Sequence, residues 1–259
     1  MTRALILAAG EGQRLRPLTN ERPKCLVPLL GKPMLLRQLD VMKRCGVSEI
    51  EVITGFCAGK IEELGLSCSH NADYAQTNMV TTLFSARQFI DREGDLLIAY
   101  GDIVYEQEVL QAILDCDDDV CVVVDQKWRK AWELRFDDPL SDAETMLIDA
   151  DGYITELGKK PESYAQIQGQ YIGLIKISGD RIRALIDFYD SMDRSALFDG
   201  KDFANMYMTS FLQALIDAEW KVRAVPIDGG WLEVDSVDDL QMYERLHASG
   251  QLADVCTLD

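Results

Sequence analysis

Residues 3–9 (RALILAA) are apolar almost throughout, and Gly10 and Gly12 follow directly. Such a run, stopped by glycine, reads as a buried strand that ends in a turn. The stretch after it, GEGQRLRPLTNERPKCLVPLLGKPM, holds Arg14, Arg16, Arg22 and Lys24, with only Glu11 and Glu21 against them, on a chain of formal net charge -18. A local cation cluster on an acidic chain calls for an anionic ligand. Polyphosphate fits: glycines let backbone N–H groups approach phosphate oxygens, and the cations neutralise charge that builds up during phosphoryl or nucleotidyl transfer.

The strand–helix alternation continues to residue 125. Helices are expected over 33–45, 58–64, 78–90 and 106–114, and strands over 49–54, 67–70, 96–100 and 120–125. This rhythm predicts an α/β fold with a mixed, mostly parallel central sheet and helices on both faces. Strands are expected next over 134–136, 145–148, 153–157 and 170–177, with Asp151-Gly152 as a hairpin signal. Having no long helices between them, they are read as an antiparallel insertion over the open end of the sheet. Helices over 180–192, 203–218 and 237–246 and extended segments over 222–227 and 231–234 complete the chain. Ser236, three residues before Asp239, marks a helix start.

With 259 residues, 47% of them hydrophobic, the chain is expected to form one domain over 1–259. It has no apolar run of transmembrane length, and a strand at Arg3 leaves no room for a leader, so a cytoplasmic location is expected. The cysteines at 25, 45, 57, 68, 116, 121 and 256 form no CxxC pair, and read as small buried hydrophobes. A pI near 4.5 argues against nucleic acid as partner but not against a nucleotide.

The common phosphate loops do not fit. A GxGxxG loop would need glycine where Leu15 stands, and a Walker A loop fails because Gly31-Lys32 is followed by Pro33 with no glycine at position 26. LILAAGEGQRLRPLT followed by RPKCLVPLLGKPML instead resembles the signature of the nucleotidyltransferases that make NDP-sugars and CDP-alcohols. The resemblance implies that Leu7, Ala8, Ala9 and Gly10 hold the nucleoside side, with Gly101 beside them. Asn71 and Asn78 are candidates for further nucleotide contacts, and each equally for a helix cap or turn residue. It implies that Gly12 and Arg14 wrap the triphosphate and that Lys24 reaches the α-phosphate. Asp102 follows a buried strand at its carboxyl end, where open α/β sheets bind ligands. Together with Asp235 it resembles the metal-binding aspartate pair of these enzymes, which implies Mg²⁺. Glu233, two residues before Asp235, is read as an added ligand, a substrate contact or a structural residue.

The segments NADYAQTNMVTTL, DQKWRKAW, DAETMLIDADGYITELGKK, GQYIGLIKIS and GWLEVDSVDDL, in that order, are similar to the phosphocholine cytidylyltransferase group, which includes enzymes for aminoethylphosphonate. That likeness implies a nucleotide-binding half over 1–125 and an acceptor-binding and lid half over 126–259. An amine-bearing acceptor wants aromatic walls and carboxylates: Trp128, Trp132 and Tyr171 are candidate walls, and Asp202 or Glu233 candidate counter-charges. Lys159 is a candidate contact for the acceptor phosphate. The expected reaction is attack of a phosphate or phosphonate oxygen on the α-phosphorus of CTP, with pyrophosphate leaving. The expected partners are CTP and a small acceptor, without nucleic acid or membrane and with a homodimer left open. A sugar-1-phosphate nucleotidyltransferase using UTP, dTTP or GTP, and a nucleotide sensor without turnover, are the rival readings.

Overall fold

The computed structural model describes residues 1–258. Its core is a seven-stranded sheet whose strands are β1 (Thr2–Ala8), β4 (Ile50–Thr54), β5 (Ser67–His70), β6 (Asp95–Tyr100), β8 (Val120–Asp125), β11 (Gln170–Ile177) and β12 (Val222–Ile227). The spatial order is β12-β8-β11-β6-β1-β4-β5. β1 runs parallel to β4 and β6, and β12 parallel to β8, while β11 runs against both β6 and β8. The expected mixed, mostly parallel sheet is therefore present. Short strands β2 (Pro28–Leu29) and β3 (Lys32–Pro33) pair with each other, as do β9 (Met146–Ile148) and β10 (Ile154–Leu157).

Side chains alternate across each strand, so β1 feeds two cores. Leu5 and Leu7 pack with residues of α3 (Met79–Ser85), α4 (Arg87–Ile90), α7 (Ile182–Ser191) and α8 (Met208–Asp217). Ala4, Ile6 and Ala8 pack on the other face, with residues of α1 (Met34–Arg44), α5 (Gln107–Leu114) and α6 (Trp128–Arg135). Short α2 (Gly59–Glu62) lies between β4 and β5 in the chain. Among the described residues, no helix is long and apolar enough to cross a membrane.

Four expectations need correction. The helix expected over 203–218 begins only at Met208, because Phe203–Asn205 forms a separate short turn and Met206 and Tyr207 are not helical. Residues 134–136 are not a strand: Leu134 and Arg135 finish α6 and only Phe136 is extended. Trp128 and Trp132 lie one helical turn apart and both bury, so the 3.6-residue period wins over the local Leu-Arg-Phe pattern. The strand at 170–177 is not part of the small antiparallel unit but enters the main sheet as β11. The helix expected over 78–90 breaks at Ala86 (φ -92°, ψ 30°) into α3 and α4.

Candidate active site

Two carboxylates far apart in sequence meet through a strand pair at the end of β6. Asp102 leads into β7 (Ile103–Tyr105), which pairs antiparallel with β13 (Trp231–Glu233). Val234 N–H donates to the Asp102 carbonyl at 3.0 Å, which brings Asp235 beside it. Gly101 lets the ends of β1 and β6 close up: a Cβ there would lie 2.7 Å from the Leu7 carbonyl oxygen. Asp235 precedes α9 (Val237–Ala248), whose start is a capping box of Ser236 and Asp239. The Asp239 carboxylate also accepts from the Asp235 N–H at 2.9 Å, fixing its backbone.

Lys24 arrives from the glycine loop. Gly12 sits at φ 61°, and a Cβ on it would come within 2.9 Å of the Lys24 Cβ. The Thr19 hydroxyl ties the loop by donating to the Gly12 carbonyl at 2.8 Å. The Lys24 ammonium bonds Asp102 at 2.7 Å and also contacts Asp235. Arg14, largely exposed, meets the other Asp235 oxygen at 2.8 Å. From behind, the buried Arg135 guanidinium reaches Glu233 at 2.6 Å, Asp239 at 3.0 Å and Asp235 at 3.7 Å.

Burial opposes the charge on Lys24, but Asp102 and Asp235 override it and raise its pKa. Burial likewise pushes Asp235 up, yet Lys24 and the arginines hold it below the usual carboxylate range. Glu233 is pushed up to about 7, first by burial and then by Asp235, with Arg135 pulling the other way. Carboxylate oxygens of Asp102, Glu233 and Asp235 all lie within 4.8 Å of one another. Asp102 Oδ1 is buried with no hydrogen-bond partner among the described residues. An all-oxygen donor set with one orphaned acceptor suits a hard divalent cation.

Two cavities flank this cluster. One is lined by Leu7, Ala8, Ala9, Gly10, Lys24, Asn78, Gly101 and Asp102, together with Tyr74, Thr77, Met79 and Tyr100. The other is lined by Arg14, Trp132, Glu144, Tyr171, Glu233 and Asp235, among others, and shares Met79 and Tyr100 with the first. The arrangement can thus hold two ligands end to end, with Lys24, Arg14 and the carboxylates at the junction.

The remaining candidate residues each have partners within the fold. Asn71 is buried and donates to the Thr77 and Thr82 hydroxyls, both at 3.0 Å, closing the loop before α3. Asn78 caps α3 by accepting from the Met79 N–H at 2.8 Å while also lining the first cavity. Trp128 packs behind Trp132, its ring edge-on at 5.7 Å, and is not among the residues lining the second cavity. Lys159 is exposed and paired with Glu156 at 2.7 Å. Asp202 caps the short helical turn Phe203–Asn205.

Arg135, Asp239 and Glu144 were not read as site residues from sequence. Arg135 follows Trp128 and Trp132 on the inner stripe of α6, so helical periodicity held its signal. Asp239 showed only as a helix cap. Glu144 had no local pattern to mark it.

A parallel-sheet domain with a glycine–lysine loop facing paired aspartates at the strand ends defines a nucleotidyltransferase. The model of the MobA-like NTP transferase domain matches residues 4–170, and the chain belongs to that family. It is 43% identical over 248 residues to the CTP:phosphoglutamine cytidylyltransferase of Campylobacter jejuni, covering 92% of this chain and 98% of that one. In fold it is similar to the CTP:phosphocholine cytidylyltransferase of Streptococcus pneumoniae (TM-score 0.70, 20% identity, 95% of this chain and 99% of that one). It is also similar to the inositol-1-phosphate CTP transferase of T. maritima (TM-score 0.73, 17% identity, 99% and 98%).

Proposed function

We propose that this chain is a Mg²⁺-dependent cytidylyltransferase that moves CMP from CTP to the phosphate of a small acceptor and releases pyrophosphate. The observation that carries the reading is the Lys24 ammonium held by Asp102 and Asp235 where the two cavities meet. Phosphoglutamine is the acceptor best supported, because the relative bearing that substrate in its name matches across 98% of its own length. Phosphocholine and aminoethylphosphonate belong to the same chemical range.

In this reading the nucleotide-binding half spans residues 1–125 and the acceptor half 126–259. The backbone of Leu7, Ala8, Ala9, Gly10 and Gly101, with Asn78, holds the nucleoside in the first cavity. Gly12 shapes the loop so that Arg14 faces the triphosphate, and Asn71 braces the cavity wall from behind. Asp102 and Asp235 would hold Mg²⁺, whose positive charge offsets that of the triphosphate oxygens. Lys24 donates to the α-phosphate and neutralises charge as the new bond forms. Trp132 and Tyr171 wall the acceptor. The acceptor oxygen is already anionic at neutral pH, so alignment and charge neutralisation carry the rate and no general base is needed.

The test is pyrophosphate release from CTP, UTP, GTP and dTTP, each with phosphoglutamine, phosphocholine, 2-aminoethylphosphonate and glucose 1-phosphate. CTP with phosphoglutamine should give the highest kcat/KM. Preference for UTP or dTTP with the sugar phosphate, or nucleotide binding without turnover, would overturn the assignment.

A further inference from the structure

Four carboxylates line the second cavity: Asp142, Glu144, Glu233 and Asp235. Three are committed. Asp142 accepts from the Trp132 indole N–H at 3.0 Å, Glu233 is held by Arg135, and Asp235 by Lys24 and Arg14. The Glu144 carboxylate alone makes no hydrogen bond or ion pair among the described residues, although the residue is mostly buried. An unpaired buried carboxylate is costly, and a protein normally pairs or relocates it.

The position is nevertheless held firmly. Glu144 lies outside any helix or strand, yet the buried Gln170 amide clamps its backbone from both sides. Gln170 Nε2 donates to the Glu144 carbonyl at 2.6 Å, and the Glu144 N–H donates to Gln170 Oε1 at 3.0 Å. Gln170 opens β11 in the central sheet, so a rigid element fixes where Glu144 stands. The charges that bear on it are the carboxylates of Asp142 and Asp199, and burial with those two raises its pKa to about 7. Asp199 is itself held by the Ser210 hydroxyl at 2.5 Å. Beside Glu144 in the cavity, Tyr171 packs edge-on against Tyr100, its buried hydroxyl without a well-formed hydrogen bond. Arg14, the cation in the lining, is already paired with Asp235, so an acidic cavity with aromatic walls keeps one uncommitted carboxylate for a cationic ligand.

We propose that Glu144 is the counter-charge for a cationic nitrogen on the acceptor, so that this enzyme selects phosphorylated or phosphonylated amines over neutral alcohol or sugar phosphates. The inference rests on the cytidylyltransferase reading and replaces Asp202 and Glu233, the capping and arginine-bound residues, as the group that reads the amine. The substrate ammonium completes a buried ion pair that the free protein leaves open.

The experiment compares two acceptor pairs that differ only in the amine: phosphoglutamine against its desamino analogue, and 2-aminoethylphosphonate against propylphosphonate. Pyrophosphate release from CTP is measured with the wild-type enzyme, Glu144→Gln and Glu144→Asp. The wild type should favour the amine of the better pair by about 100-fold in kcat/KM, the scale of a buried charge pair that loses one partner. Glu144→Gln should collapse that ratio to below about 10-fold through a higher acceptor KM, with the KM for CTP as the reference. Glu144→Asp should restore part of it. A wild type indifferent to the amine, or a Glu144→Gln variant that keeps its full discrimination, overturns the role of Glu144. Turnover of CTP in those cases leaves the transferase reading standing, whereas a wild type that releases no pyrophosphate with any acceptor overturns both.

Discussion

Replacing Glu144 by Gln should change how stability depends on pH, independently of any substrate. Unfolded, Glu144 ionises near its ordinary value of 4.5; folded, burial followed by Asp142 and Asp199 pushes it up to about 7. Between those values the unfolded chain has released a proton that the folded chain still holds. Stability therefore falls as pH rises through that window, and the contribution levels off below and above it. The full difference is worth about 3 kcal/mol at 1.36 kcal/mol per pH unit, and about 2 kcal/mol of it lies between pH 5.5 and 8.5. A glutamine amide at this position has no such proton to lose. The neighbours Asp142, Asp199, Tyr100 and Tyr171 are the same in both proteins, so the comparison cancels their own titration to first order. Urea unfolding of both proteins at pH 5.5 and 8.5 gives the number directly. The stability gap in favour of Glu144→Gln should widen by about 2 kcal/mol at the higher pH. A gap constant to within about 0.5 kcal/mol would mean that Glu144 ionises freely in the folded protein, and the case for an unpaired buried carboxylate would fail.

Lys24→Ala should lower kcat by at least about 1000-fold, roughly 4 kcal/mol of transition-state stabilisation, with an unchanged far-ultraviolet circular dichroism spectrum. Near-normal turnover would remove Lys24 from the chemistry. Arg135→Met should destabilise the fold by about 3–5 kcal/mol in urea unfolding, because it strips the buried Glu233 and Asp239 carboxylates of their cation. Arg135→Lys should recover only part of that loss, since one ammonium cannot span contacts made by a planar fork; full recovery would reduce the site to a point charge. Removing divalent cation with a chelator should abolish turnover and restoring Mg²⁺ should return it, while Asp102→Asn should raise the Mg²⁺ concentration for half-maximal rate by at least about 10–100-fold, the loss that removing even an outer partner of a metal site brings.

What the sequence revealed and what it concealed follow from the range of the interactions involved. The glycine loop with Lys24 was legible because its parts are adjacent in the chain: an apolar run, a stop and a cation cluster are all local patterns. Asp102 and Asp235 were legible one at a time, each as an acid after an extended segment. Their meeting depends on the pairing of β7 with β13 and on the Val234 to Asp102 hydrogen bond, which link residues with no sequence neighbourhood in common. β11 went to the wrong sheet for a related reason. Alternation and composition report that a segment is extended, but its partners are decided by which buried edge is left open, and here the gap lay between β6 and β8. Arg135 was lost to a period error over a few residues. Glu144 could not have been found by any pattern, because its distinguishing property is a missing partner. Ion pairs and caps leave complementary residues in the sequence, whereas an unsatisfied carboxylate is defined only once every nearby cation has been placed elsewhere. The loop proposed to hold the triphosphate is thus written as a local signal, the carboxylate pair proposed to hold the metal only in halves, and the residue proposed to choose the acceptor is visible only in the finished cavity.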